Sequence, residues 1–149
     1  MKTSGNTMLI TGGGSGIGRE PALRFNALGN TVIVTGRRVE TLEETIAGQR
    51  DMHAIVVDVE DPKAITAFAE RVVAEYPNLN VLINNAGIMR REDLSRTRDL
   101  SGAEQAVVAN LLGPIRLRTN RPYGKPARRG DRERLLGVSV CAVKRHAHL

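Results

Sequence analysis

The sequence contains one cysteine, Cys141, and no long apolar run. A single cysteine excludes an intramolecular disulfide, and with it the small secreted domains that disulfides hold together. No stretch of about 18 apolar residues is available to span a bilayer. The opening residues MKTSGNTMLI lack the apolar segment of a signal peptide. We therefore expect a cytoplasmic protein without a membrane partner.

The composition is that of a globular protein with an uneven charge distribution. Of its 149 residues, 41% are hydrophobic and 26% are charged, which excludes a disordered acidic tail and a collagen-like fibre. Residues 1–118 carry 14 basic and 14 acidic side chains, whereas residues 119–149 carry eight and two. The net charge of +6 thus lies entirely in the last part. We predict a neutral domain at 1–118 and a basic tail at 119–149.

Four short apolar, β-branched runs alternate with segments of helical spacing. The predicted strands are residues 7–11, 31–35, 53–57 and 81–84, and the predicted helices are residues 17–28, 39–46, 65–76 and 103–114. Strands that are apolar on both faces, separated by one-sided helices, are typical of a parallel sheet covered on both sides. The pattern predicts an α/β fold with a Rossmann-like, doubly wound parallel sheet that stops after the fourth strand and the following helix.

A glycine-rich turn, residues 11–18 (TGGGSGIG), joins the first strand to the first helix. Such a turn brings bare backbone N–H groups and a helix N-terminus close to phosphate; the alternative is a tight turn without a ligand. A P-loop fails because Arg19 and Glu20 stand where lysine and a hydroxyl residue are needed. Pro21 is expected to distort the helix, and Glu20 lies near the diphosphate site, so we expect weaker cofactor binding.

Three motifs in this order resemble those of the short-chain dehydrogenase/reductase family. They are T-G-x-x-x-G-x-G from Thr11, Asp58-Val59 closing the third strand, and Asn84-Asn85-Ala86-Gly87 after the fourth. The resemblance covers residues 7–117, the N-terminal, cofactor-binding half. It implies an NAD(P)-dependent oxidoreductase that acts on a small carbonyl or alcohol substrate. The cofactor contacts it implies are Thr11, Gly12, Ser15, Gly16, Ile17 and Gly18 at the diphosphate, Asp58 and Val59 at the adenine, and Asn85, Ala86 and Gly87 toward the ribose.

The residues after the second strand predict which nicotinamide cofactor is bound. NAD-selective folds place an acid there for the ribose 2′-hydroxyl, but this chain has Gly36-Arg37-Arg38. A guanidinium can bind a 2′-phosphate through charge-assisted hydrogen bonds. We therefore expect NADP(H) to be preferred over NAD(H), with Arg37 as the first contact and Arg38 as the second; the alternative is that both arginines are solvated surface residues.

The proton-transfer residues that the resemblance implies have only one match. Asn110 matches the family's catalytic asparagine, but no Tyr-x-x-x-Lys pattern occurs. Tyr123 and Lys125 are two residues apart between prolines and would not share a helical face. Ser139 follows this tyrosine, whereas the family's serine precedes it, so we interpret both as coincidence. We expect cofactor binding without efficient turnover.

The basic tail has no zinc spacing, because Cys141, His146 and His148 lack a fourth ligand, and we expect no metal site. We interpret the tail as a frameshift or early truncation of a longer reductase. The alternative is a non-catalytic dinucleotide-binding protein that acts through a nucleic-acid-binding arm, with nucleic acid the less favoured partner. An exposed fourth-strand edge would favour self-association, although the apolar run 135–143 could form a strand over part of it.

Overall fold

The computed structural model describes residues 2–89, 95, 99–119 and 136–139. Strands and helices alternate as the hydrophobic pattern predicts. In chain order the elements are β1 (Thr7–Thr11), α1 (Gly16–Ala27), β2 (Thr31–Gly36), α2 (Val39–Ile46), β3 (Met52–Val56), α3 (Pro62–Glu75), β4 (Leu79–Asn84), α4 (Ser101–Val107), a π-helical turn (Val108–Leu112), α5 (Gly113–Thr119) and β5 (Leu136–Ser139). No helix in the described part of the chain is long and apolar enough to cross a membrane.

The strands form one parallel sheet in the order β3-β2-β1-β4-β5. The chain moves outward from β1 through β2 to β3, and then returns to the other side of β1 with β4. The strand order therefore reverses between β1 and β4. In open α/β sheets, ligands bind outside the carboxyl ends of the strands at such a switch point.

The two faces of the sheet support two separate apolar cores. Side chains alternate across a strand, so Leu9 and Ile33 face one side while Met8 and Val32 face the other. The first core is completed by α3 and α5, with Phe68, Val72 and Leu117, and the second by α1 and α2, with Ala22 and Leu42. This arrangement confirms the doubly wound, Rossmann-like fold.

The sheet extends one strand beyond the predicted four. Leu136–Ser139 pairs in parallel with β4, in a register that runs from Val81 opposite Leu136 to Asn84 opposite Ser139. This strand lies within the run 135–143 that the sequence offered as cover for the β4 edge. The remaining tail positions considered above, including Tyr123, Lys125 and Cys141, lie outside the described residues.

Helix α1 contains the two residues that the sequence marks as unfavourable for cofactor binding, Glu20 and Pro21. Helix α1 continues through Pro21 to Ala27, although proline has no N–H to bond the Ile17 carbonyl. The Glu20 carboxylate bonds the Arg24 guanidinium along the exposed helix surface, 2.7 Å away, and does not line the cavity described below. The Glu20 side chain thus lies along the helix beside an i,i+4 partner, and its interference with a diphosphate stays a prediction.

Candidate nucleotide-binding site

An open cavity of about 250 Å³ lies at the switch point, above the carboxyl ends of β1, β2, β3 and β4. Its wall combines the glycine turn, the ends of β2 and β3, and the turn after β4. Eleven of the thirteen predicted cofactor contacts line it: Gly12, Ser15, Ile17, Gly18, Arg37, Arg38, Asp58, Val59, Asn85, Ala86 and Gly87. Motifs separated by more than 70 residues in sequence thus meet around one space.

Glycines are required where the first turn meets the turn after β4. Gly12 has φ +70°, and a Cβ on it would lie 2.9 Å from the Ala86 Cα. A Cβ on Gly18 would overlap the Asn85 Nδ2 and the Gly12 carbonyl oxygen. Side chains at these positions would force the two turns apart. The glycine motif therefore builds the cavity by letting the two turns approach each other.

Thr11 is the first predicted contact that the structure places elsewhere. It is 1% exposed and is absent from the cavity wall. Its Oγ1 accepts hydrogen bonds from the backbone N–H groups of Asn85 at 3.0 Å and Ala86 at 2.9 Å. The Asn85 Nδ2 in turn donates to the Thr11 carbonyl at 3.1 Å. The Thr11 hydroxyl is thus buried against the turn after β4, and its diphosphate contact stays a prediction.

Gly16 is the second predicted contact outside the cavity wall. It has φ +55° and begins α1, so its part in this structure is to let the chain enter the helix. Ser15, the N-cap residue of α1, makes no side-chain capping bond, and the first turn has no acidic residue. The Ser15 side chain therefore leaves the first N–H groups of the helix uncapped beside the cavity wall. This positive helix end favours an anionic group.

Asn110, the predicted catalytic residue, acts as a positioning residue in this structure. It lies in the π-helical turn, where its Oδ1 accepts from the Ile88 N–H and its Nδ2 donates to the Ile88 carbonyl, both at 2.8 Å. Both ends of its amide are thus bonded to the backbone just beyond Gly87. Asn110 itself is not part of the cavity wall. It fixes the segment that follows the turn after β4.

The cavity wall between the ends of β2 and β3 carries balanced charge. Arg37 and Arg38 lie there with Asp58 and Glu60, and no other charged residue lines the described wall. The Arg37 Nη1 lies 3.2 Å from the Glu60 Oε1. Sequence reasoning missed Glu60, although β2 and β3 pair in parallel and residues just beyond their ends are therefore expected to be neighbours.

A parallel sheet with a glycine turn and a helix N-terminus at its switch point defines a dinucleotide-binding class of protein. The family model for short chain dehydrogenase matches residues 6–120. The chain belongs to the short-chain dehydrogenase family.

Relatives and solved structures agree with this assignment over about half of their chains. The uncharacterized oxidoreductase DltE of Bacillus subtilis is 42% identical over 118 residues, which cover 78% of this chain and 47% of that protein. A short-chain dehydrogenase from Streptomyces avermitilis has a TM-score of 0.73 and 34% identity, over 82% of this chain and 44% of that one. Another, from Burkholderia cenocepacia in complex with NADP, has a TM-score of 0.72 and 30% identity, over 80% and 51%. This chain spans about half the length of these proteins.

Proposed function

We propose that this chain binds NADP(H) in the switch-point cavity and that it represents the nucleotide-binding half of an oxidoreductase for small carbonyl or alcohol substrates. The observation that carries the proposal is the close approach of Gly12 and Gly18 to the turn after β4, beside the uncapped N-terminus of α1. When bound, a nicotinamide cofactor supplies or accepts a hydride. The chain's own contribution is to hold and orient it.

The wall residues fit such a cofactor by their chemistry. The part of the glycine turn that lines the cavity, with Gly12, Gly14, Ser15 and Gly18, and the N-terminal end of α1 suit the diphosphate. Asp58 and Val59 would hold the adenine, and Asn85, Ala86 and Gly87 would face the ribose. The half-exposed Ile17 adds an apolar contact in the wall. Thr11 and Asn110 would act indirectly, by fixing the backbone on which these contacts depend.

The preference for the 2′-phosphate rests on the arginines that follow β2. Arg37 and Arg38 line the cavity, and both are exposed enough to reach a bound nucleotide. Guanidinium groups suit a phosphate because they bind it through paired, charge-assisted hydrogen bonds. The likeness to the B. cenocepacia dehydrogenase, whose structure contains NADP, supports the same choice.

Binding is proposed to occur without efficient turnover, because the sequence holds no Tyr-x-x-x-Lys pattern for proton transfer. Calorimetry with NADPH and NADH, together with NADPH oxidation against a panel of aldehydes and ketones, tests both parts. We expect heat on binding and no catalytic turnover. Folded protein that gives no heat with either nucleotide at millimolar concentration overturns the binding proposal. Turnover with any carbonyl overturns only the second part.

Replacing Arg37 with aspartate is expected to move the preference toward NADH. The substitution removes a phosphate-binding guanidinium and adds a carboxylate that repels phosphate and can bond a ribose hydroxyl. The ratio of the NADH to the NADPH dissociation constant should fall by about tenfold or more. Arg50→Asp is the matched control, because Arg50 is exposed in the turn before β3, at the opposite end of that strand from the cavity. An unchanged ratio in R37D would remove Arg37 from the site.

The remaining sequence predictions stay proposals. A boundary near residue 118, a cytoplasmic setting and self-association are among them. The proposal of self-association is supported by three apolar side chains in the region from α4 to α5. They are Val107, Leu111 and Ile115, which are about half exposed and four residues apart. Residues at this spacing lie on one helical face.

A further inference from the structure

Glu60 introduces a carboxylate at the place where the proposed function requires positive charge. Its Oε1 lies 3.2 Å from the Arg37 Nη1, and its side chain is only 25% exposed, against 59% for Arg37. Both residues line the cavity. The guanidinium that is expected to meet a 2′-phosphate therefore already has an anionic partner within the chain.

The backbone of Glu60 is held from two sides. Its N–H donates to the Asp58 Oδ1 at 2.9 Å, and its carbonyl accepts from the Arg116 Nη1 of α5 at 3.4 Å. The next residue, Asp61, caps α3 by accepting from the Lys63 N–H at 2.8 Å. Glu60 thus lies in a short, bonded connection between β3 and α3. The backbone bonds fix the position from which its side chain reaches Arg37.

We propose that Glu60 is a specificity-determining residue that lowers the preference for NADPH, so that the cavity accepts NADH within a few-fold of NADPH. This inference rests on the proposed function. A 2′-phosphate must share the Arg37 guanidinium with Glu60, and it must also approach a carboxylate of like charge. The free 2′-hydroxyl of NADH meets neither cost. Two arginines in the wall therefore do not amount to two unpaired positive charges.

The expected size of the effect follows from the exposure of the pair. Partly exposed ion pairs change equilibria by roughly two- to fivefold, because water and salt screen them. Glu60→Gln keeps the shape and the backbone bonds but removes the charge. We expect it to raise the ratio of the NADH to the NADPH dissociation constant by about two- to fivefold. The gain should shrink as salt is increased, because salt screens partly exposed charges.

The test is calorimetric titration of folded wild-type and variant proteins with NADPH and NADH. Glu70→Gln is the matched control, because it makes the same charge change on the exposed surface of α3, away from the wall. The double variant Arg37→Gln/Glu60→Gln shows whether Glu60 acts through Arg37. We expect E60Q to give less than half of its gain in the R37Q background. Glu60→Asp draws the carboxylate back from Arg37 and should raise the ratio of the NADH to the NADPH dissociation constant by less than E60Q does. It takes the place of E60Q in the test if E60Q does not fold.

The outcomes separate this inference from the proposed function. A folded wild-type chain that binds neither nucleotide overturns the proposed function itself. A second outcome is that wild type binds NADPH and the single variant R37Q binds it more weakly, while E60Q and E70Q have the same ratio of NADH to NADPH dissociation constants. This result overturns the role of Glu60 and leaves the nucleotide site intact. If E60Q raises the ratio of the NADH to the NADPH dissociation constant as much in the R37Q protein as in wild type, Glu60 does not act through Arg37. A gain that depends on Arg37 and falls with salt supports the inference.

Discussion

Gly18→Ala is expected to abolish detectable NADPH binding and to lower the free energy of unfolding by about 3 kcal/mol. The added Cβ would overlap the Asn85 Nδ2 and the Gly12 carbonyl oxygen. The Gly12 oxygen belongs to the main chain, and the Asn85 Nδ2 donates to the carbonyls of Thr11 and Gly12. Neither group can therefore rotate away from an added Cβ. The strain must instead move α1 or the turn after β4. Either shift opens the surface on which a diphosphate would rest.

Gly36→Ala is the matched control for this prediction. Gly36 lines the same cavity, but a Cβ there would meet only the Leu42 Cδ2, at an ordinary contact distance of 3.7 Å. We expect its stability to stay within about 1 kcal/mol of wild type. Urea denaturation and NADPH calorimetry on both variants provide the comparison. Normal binding by G18A would show that the close approach of the two turns is not needed.

The elements that could be predicted are those whose signal is local. Strand β2 reads as a buried strand from Val32, Ile33 and Val34 alone, since an apolar strand between two helical patterns is covered on both faces. Helix α2 follows in the same way from the spacing of Val39, Leu42 and Ile46. The cavity wall followed from motif positions, because parallel strands bring their carboxyl ends to one edge of the sheet.

The features that sequence missed depend on partners far along the chain. Residues 103–114 predict one continuous helix, yet the structure divides this region into α4, a π-helical turn and α5. The division falls where Asn110 bonds Ile88 and where Gly113 packs against Val59. Helical spacing carries no information about such contacts. The pairing of Glu60 with Arg37 was invisible for the same reason.

Thr11 has bonding partners that its motif does not reveal. The family resemblance assigns it to the cofactor, but only the fold reveals that its hydroxyl faces the Asn85 and Ala86 N–H groups, which lie more than 70 residues away. A motif residue can therefore help to build the site from outside the cavity wall. The contribution of the Thr11 hydroxyl to stability can be measured by comparison with Thr35, which is equally buried but whose hydroxyl has no hydrogen-bond partner among the described residues.

Thr11→Val is expected to destabilise the fold by about 2–4 kcal/mol, because two backbone N–H groups would lose their acceptor and each buried donor left unpaired costs about 1–3 kcal/mol. Thr35 is its neighbour in the sheet, opposite Thr11 in the β1–β2 register, and is 0% exposed. The Thr35 Oγ1 has no hydrogen-bond partner among the described residues. Thr35→Val, an equally isosteric change, should therefore be neutral or stabilising by up to about 1 kcal/mol.

Urea denaturation of T11V and T35V measures the difference directly, and NADPH calorimetry on the folded variants tests its consequence. We expect weaker binding in T11V, because the turn that carries Asn85, Ala86 and Gly87 loses its anchor to β1. Thr35 itself lines the cavity, so T35V is the control for stability and not for binding. Equal losses of stability in both variants would mean that the cost comes from the added methyl group. The hydrogen bonds from the turn to Thr11 would then contribute little to holding the site together.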